Sequence, residues 1–128
     1  YETKFERKYL ELAIITTARL MDCPYVWNAH APAARKEGIS DPIIEALRDN
    51  KPLPDMEPAE AVIVGYATEF YTTHRVTEKT FNSALEIFGT QYLVEITSLM
   101  RHYAQTAFIL NAFEVPISKD STEPRLPV

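Results

Sequence analysis

The chain has 128 residues, of which 46% are hydrophobic and 24% are charged, and its formal net charge is −5. This length fits one domain, and the apolar content can fill a core, which argues against wholesale disorder. The negative charge, without any cluster of Lys and Arg, argues against non-specific binding to nucleic acid.

Cysteine usage and hydropathy bear on the compartment. The chain has one cysteine, no signal-peptide pattern and no apolar run long enough to span a bilayer. A single cysteine excludes an intrachain disulfide and fits a reducing compartment, so we expect a cytoplasmic protein that does not contact membranes. Because the chain begins at Tyr1 without a Met, we also expect it to be a piece of a longer protein.

The apolar spacing predicts helices throughout, since there are only three glycines and no strong alternating strand pattern. Ser40 and Thr77 are predicted N-caps, and Gly38 and Gly89 are predicted helix stops. The prediction is an all-α, single-domain bundle of about six helices, near residues 4–20, 23–37, 41–49, 58–73, 77–89 and 90–113.

The end of the chain has two contrasting parts. Residues 104–113 are almost wholly apolar, which predicts a helix that is buried on all sides and shared between an internal core and a subunit interface. Residues 114–128 contain three prolines and are predicted to form an extended arm. We therefore divide the chain into a helical domain, residues 1–116, and an extended tail, residues 117–128.

The stretch 22–30 holds the only cysteine, the only tryptophan and one of three histidines. On a helix that begins near Pro24, Cys23 and His30 lie within roughly 20° of each other, with Trp27 between them. One interpretation is a buried packing stripe with an inert thiol and a partnered imidazole. The other is a functional site built on the same residues.

Two further features bear on chemistry. Glu11 lies in the middle of an apolar helical run, so it is either on the wet face or deliberately buried. No nucleotide-binding or EF-hand motif is present, and the three histidines do not have the spacing of a zinc site. We therefore predict no metal site.

These residues together give a resemblance. Glu11 precedes Cys23 by twelve positions and His30 follows it by seven, and Tyr25 and Trp27 lie between. In this order and spacing the chain resembles the carboxymuconolactone decarboxylase family, which includes the alkyl hydroperoxide reductase D peroxidases. The peroxidases have a second cysteine where this chain has Val26, so the match is to the decarboxylase-like members.

The resemblance implies an all-α fold whose copies pack as homotrimers or homohexamers, with pockets at or near the subunit contacts. It also implies that Glu11 faces a pocket rather than water.

The first hypothesis from the resemblance and the residues is acid–base chemistry, decarboxylation or isomerisation, on a small carboxylated lactone or keto acid. His30 is the expected proton donor, because its ordinary pKa is near neutrality, and Glu11 would orient it. Tyr25 could hydrogen bond a developing oxyanion. No cofactor is required, since such an acid carries its own electron sink.

Substrate binding is assigned to residues around this centre. Trp27 would supply a flat apolar wall, with Val26 beside it. An anionic substrate needs a cation, and Arg19 is the first candidate, with Arg75, Arg101 and His102 as others.

Two other hypotheses remain open. Cys23 could act as a peroxidatic thiol, but with Val26 in the resolving position it would need an external thiol for turnover. Alternatively, the protein could be an oligomeric scaffold that binds a small molecule without catalysis.

Overall fold

The computed structural model describes residues 7–128, and this range contains five α-helices and no β-strand. The helices are α1 (Arg7–Leu20), α2 (Pro24–Lys36), α3 (Asp41–Arg48), α4 (Pro58–Thr73) and α5 (Glu78–Ala112). The prediction of an all-α fold is confirmed. The first residues of the predicted first helix, 4–6, lie outside the described residues.

Helix α1 is the centre of the bundle. Every residue from Glu11 to Arg19 is buried, because α2, α4 and α5 pack around it. The short connection 21–23 turns the chain back, so α2 runs antiparallel to α1. Lys8 pairs with Glu57 just before α4, so α4 starts beside the start of α1 and runs in the same direction.

The local signals account for most helix ends. Pro24 occupies the first turn of α2, and Gly38, two residues beyond its end, has the positive φ of 109° that favours glycine. The Thr77 side chain accepts a hydrogen bond from the Thr80 backbone N–H, as predicted for an N-cap. Ser40 is the N-cap residue of α3, as predicted, but its side chain makes no capping hydrogen bond.

The predicted fifth and sixth helices form one element, which corrects the helix count. Gly89 has φ 77° and ψ 164°, which is not helical, but helical hydrogen bonding resumes at once on its far side. Gly89 therefore breaks the helical geometry at the predicted position, and α5 consists of two helical segments joined by a kink.

The apolar end of α5 is not buried on all sides within the chain. Phe108 and Phe113 are 69% and 77% exposed, and Ile109 is also exposed, whereas Ala107 is fully buried. One face of this segment packs on the bundle and the opposite face meets solvent.

The residues after α5 form no further helix or strand, but side chains hold them against the bundle. The Glu123 carboxylate accepts from both terminal nitrogens of Arg35 on α2, at 3.1 and 3.2 Å. The Arg19 guanidinium donates to the Pro127 carbonyl, and Leu126, the residue before Pro127, is buried. The tail thus adds a layer over α2 and the end of α1.

Candidate active site

A buried acid–imidazole pair joins the first two helices. The Glu11 carboxylate lies 2.9 Å from Nδ1 of His30, and Glu11 is 5% exposed. The histidine side chain remains 24% exposed, so solvent or a ligand can reach it. With Nδ1–H donating to the carboxylate, Nε2 is the nitrogen that can exchange a proton elsewhere.

The turn between α1 and α2 creates this pair. Asp22 has a φ of 50°, which lets the connection reverse within three residues. Glu11 then lies at the start of the buried run of α1, opposite the middle of α2. Trp27, Ala31 and Ala34 share the buried face of α2, and His30 lies at the edge of that face.

Within residues 7–128, Tyr103 and Arg7 also lie beside the pair, and sequence reasoning missed both. The Tyr103 ring on α5 meets the His30 ring edge-on, with centroids 5.1 Å apart and planes at 79°. Arg7 Nη2 is 3.8 Å from the second oxygen of Glu11. The helical spacing of Arg7 and Glu11 could have revealed that contact, but nothing in the sequence links Tyr103 to His30.

Tyr103 stays protonated in this setting. Burial raises the pKa of its hydroxyl first, and the negative charge of Glu11 raises it further, while Arg7 lowers it. A phenol with a raised pKa is a hydrogen-bond donor throughout the neutral range.

Cys23 is fully buried at the N-cap of α2. Its backbone N–H donates to the Ala18 carbonyl, which fixes the residue in the turn. His30 lies seven residues further on, about 10 Å along the helix axis. Within residues 7–128, no hydrogen bond connects the thiol to Glu11 or to His30.

The structure places the other predicted residues of this stretch away from the pair or inside the core. Val26 and Trp27 are buried in the hydrophobic core. Trp27 Nε1 has no hydrogen-bond acceptor within the described range. Tyr25 is 41% exposed, and five residues of helix place it about 140° around α2 from His30.

The predicted cations also lie elsewhere. Arg19 is about 12 Å along α1 from Glu11, and its guanidinium donates to the carbonyls of Arg48 and Pro127 and to the Asp22 carboxylate. Arg75 is exposed in the connection between α4 and α5, beyond the end of α4. The structure therefore does not bring Arg19 or Arg75 to the pair.

Of the remaining candidates, Arg101 and His102 are both exposed on α5. The His102 ring packs edge-on against Tyr103, with centroids 5.2 Å apart. His102 therefore contacts Tyr103, and Tyr103 in turn contacts His30.

The comparisons with known proteins decide the family. The model of the carboxymuconolactone decarboxylase family matches residues 1–69, more than half of the chain. The chain belongs to this family. The matched segment contains Glu11, Cys23 and His30, and a comparison with curated proteins found no match.

A solved structure shares the fold of this carboxymuconolactone decarboxylase family member. It is a protein of unknown function from Agrobacterium tumefaciens, described as a candidate antioxidant defence protein AhpD. The TM-score is 0.78 at 16% identity, over 90% of this chain and 82% of that one. At this identity the likeness establishes the AhpD-like helical fold and nothing about activity.

Two cavities in this chain lie apart from its acid–imidazole pair. One, of about 210 Å³, is lined by Arg19, Thr16 and Lys51 among others. The other, of about 290 Å³, is an apolar groove between α4 and α5 that includes Tyr66 and Phe81. Neither is lined by Glu11, His30 or Tyr103.

Neither a metal-binding cluster nor a membrane-spanning helix is present in residues 7–128. Residues 7–128 contain no group of three or more His, Cys, Asp or Glu side chains placed to hold a metal ion. None of the helices in this range combines the length and the apolar character needed to cross a bilayer.

Proposed function

We propose that this member of the carboxymuconolactone decarboxylase family is a lyase or isomerase that performs cofactor-free acid–base chemistry on a small carboxylated lactone or keto acid. The observation that carries the proposal is the 2.9 Å contact between the buried Glu11 carboxylate and Nδ1 of His30. A carboxylate in this position orients the imidazole and holds a proton on Nδ1.

Decarboxylation of a β-keto acid illustrates the proposed roles. The bond between the substrate carboxylate and the α-carbon breaks and CO₂ leaves. The electron pair of that bond passes into an enolate. Protonated His30 then donates the Nε2 proton to that carbon and becomes neutral. Solvent returns the proton to Nε2, while Glu11 keeps the imidazole in its orientation.

Arg7 is the proposed cation for the substrate carboxylate, in place of Arg19. Arg7 lies 3.8 Å from Glu11, and its side chain is largely exposed. It can therefore turn toward an anion at the mouth of the site, whereas the Arg19 guanidinium is buried and already bonded. Ion pairs at exposed positions are weak, so Arg7 would affect binding more than chemistry.

The peroxidase hypothesis has weaker support in the geometry. A thiol that attacks a hydroperoxide must be reached by it, and Cys23 is fully buried. Val26 occupies the position of a resolving cysteine and is buried as well. Turnover would therefore need both an opening of the α1–α2 turn and an external thiol.

The test compares three variants on two substrate classes. We expect His30→Gln and Glu11→Gln to lower kcat for release of CO₂ from oxaloacetate, or for conversion of a carboxylated γ-lactone, by about 10²- to 10⁴-fold. The rate is measured above the uncatalysed background. Cys23→Ala is expected to retain the wild-type rate, because the thiol does not contact the pair.

Two results would contradict the proposal. One is hydroperoxide consumption with an added thiol that disappears in Cys23→Ala but persists in His30→Gln, which would favour the peroxidase. The other is the absence of turnover in the wild type with both substrate classes and with hydroperoxide, which would favour a binding scaffold.

A further inference from the structure

Tyr103 contacts the acid–imidazole pair from a third helix. It reaches the pair from α5, whereas Glu11 and His30 belong to α1 and α2. Its ring meets His30 edge-on at 5.1 Å and is partly buried against the core. Such an edge contact restricts rotation of the imidazole, and the His30 side chain remains 24% exposed.

The charged groups around Tyr103 keep its hydroxyl a donor. Glu11 and Arg7 face it from α1, His30 faces it from α2, and His102 precedes it on α5. Burial and the carboxylate outweigh the arginine, so the pKa of the phenol is raised. Within residues 7–128 the hydroxyl makes no hydrogen bond, which leaves its proton available.

A donor of this kind matches a need of the proposed chemistry. Loss of CO₂ leaves negative charge on an enolate oxygen, and a donor fixed in place before the reaction lowers the energy of that charge. Tyr25 was the predicted phenol, but its position on α2 turns it away from His30. Tyr103, by contrast, contacts the imidazole edge-on.

We infer that Tyr103 is a catalytic residue whose hydroxyl donates a hydrogen bond to the substrate oxygen on which negative charge develops, beside the proton donor His30. This inference rests on the proposed function. It assigns one role to the ring, which restricts His30, and another to the hydroxyl, which contacts the substrate. The two roles can be separated by substitution, because phenylalanine keeps the ring and removes the hydroxyl.

The experiment compares Tyr103→Phe with Tyr66→Phe. Tyr66 is a matched control, because its hydroxyl bonds Thr97 in the groove between α4 and α5. We expect Tyr103→Phe to lower kcat for oxaloacetate about 10²-fold with little change in KM, and Tyr66→Phe to keep the wild-type rate. The NMR signals of the His30 ring should match those of the wild type in both variants, which shows that the imidazole has not moved.

A binding measurement separates this inference from the proposed function. Oxalate, a planar mimic of an enolate, is titrated calorimetrically into the wild type and both variants. We expect about tenfold weaker binding to Tyr103→Phe alone, as the loss of one hydrogen bond to a charged ligand predicts. If the wild type binds oxalate in this pattern without turning over oxaloacetate, the proposed function fails and the Tyr103 contact stands.

Three outcomes would overturn the inference. Tyr103→Phe could match the wild type in both kcat and oxalate binding. Tyr25→Phe could show the losses instead. The wild type could also fail to bind oxalate at all.

Discussion

At the residue scale, the unusual group is the buried carboxylate of Glu11. Removing a charged carboxylate from water is costly unless hydrogen bonds and opposite charge compensate. His30 supplies the hydrogen bond at 2.9 Å, and Arg7 supplies the nearby positive charge. A buried acid held beside an accessible imidazole is more typical of a functional site than of a packing core.

A second carboxylate, Glu57, makes the stability dependent on acid pH. It accepts hydrogen bonds from Lys8 at 3.0 Å and from Tyr9 at 2.9 Å, and these bonds lower its pKa from the ordinary value of 4.5. The stability that this gives is present above the unfolded-state pKa and is lost as the pH falls through the folded-state pKa. We expect the urea midpoint to fall as the pH drops below about 4.5, and Glu57→Gln to lower the midpoint at neutral pH and to flatten that dependence.

Glu86→Gln is the control for Glu57, because Glu86 is an exposed carboxylate on α5. It should leave both the neutral midpoint and the acid dependence unchanged. An acid dependence that is the same in Glu57→Gln and in the wild type would show that other groups cause it.

The residues of the site differ in how far sequence could reveal them. Glu11 and His30 could be identified because the resemblance depends on their spacing from Cys23, and they prove to be in contact. Tyr103 could not be identified, because its contact with His30 depends on how α5 crosses α2, which no local pattern encodes. Arg19 lies away from the pair, because eight residues of helix separate it from Glu11 and its guanidinium bonds Asp22 and the tail.

At the scale of elements, the kink in α5 depends on one glycine. Gly89 has backbone angles that essentially only glycine adopts at low cost. We expect Gly89→Ala to lower the free energy of unfolding by about 1–3 kcal/mol, measured by urea denaturation at neutral pH.

Gly65 provides the matched substitution. It lies inside α4, is exposed, and an added Cβ would meet nothing within 4 Å. Gly65→Ala should raise the free energy of unfolding by about 0.5–1 kcal/mol, since alanine loses less backbone entropy in a helix. If both alanine substitutions changed the free energy of unfolding by the same amount, the kink would not depend on glycine at position 89.

Helix ends were predictable where proline and glycine set them. The predicted α4, residues 58–73, agrees with the structure at both ends because Pro58 suits a first helical turn and His74 leaves the helix with a φ of 65°. At Gly89 the helical geometry breaks, as predicted, but the segments on its two sides follow each other without a loop and therefore count as one element.

At the scale of the whole molecule, the exposed apolar face at the end of α5 is the surface on which we expect another chain to bind. Phe108, Ile109 and Phe113 are all more than half exposed in the single chain. Exposed clusters of large apolar side chains mark interaction sites. We propose that copies of the chain associate through this face as a homotrimer or homohexamer.

Light scattering of the purified chain tests this assembly. We expect a mass of three or six chains, and we expect Phe108→Lys to reduce it by burying a charge in the interface. Gln91→Lys is the control, because Gln91 is an exposed polar residue on the same helix, about 25 Å along its axis from Phe108. A wild-type protein that is monomeric at high concentration would contradict the assembly.

The single tryptophan gives this protein an internal optical reporter. Trp27 is fully buried, and its indole N–H meets no acceptor within the described range, so its native emission should be that of an indole in a dry apolar setting. Unfolding brings the ring into water and shifts its emission to longer wavelength. Because Trp27 lies one helical turn from His30, the same signal also senses water that enters beside the acid–imidazole pair. Every variant above can therefore be followed by its own fluorescence, without an added label.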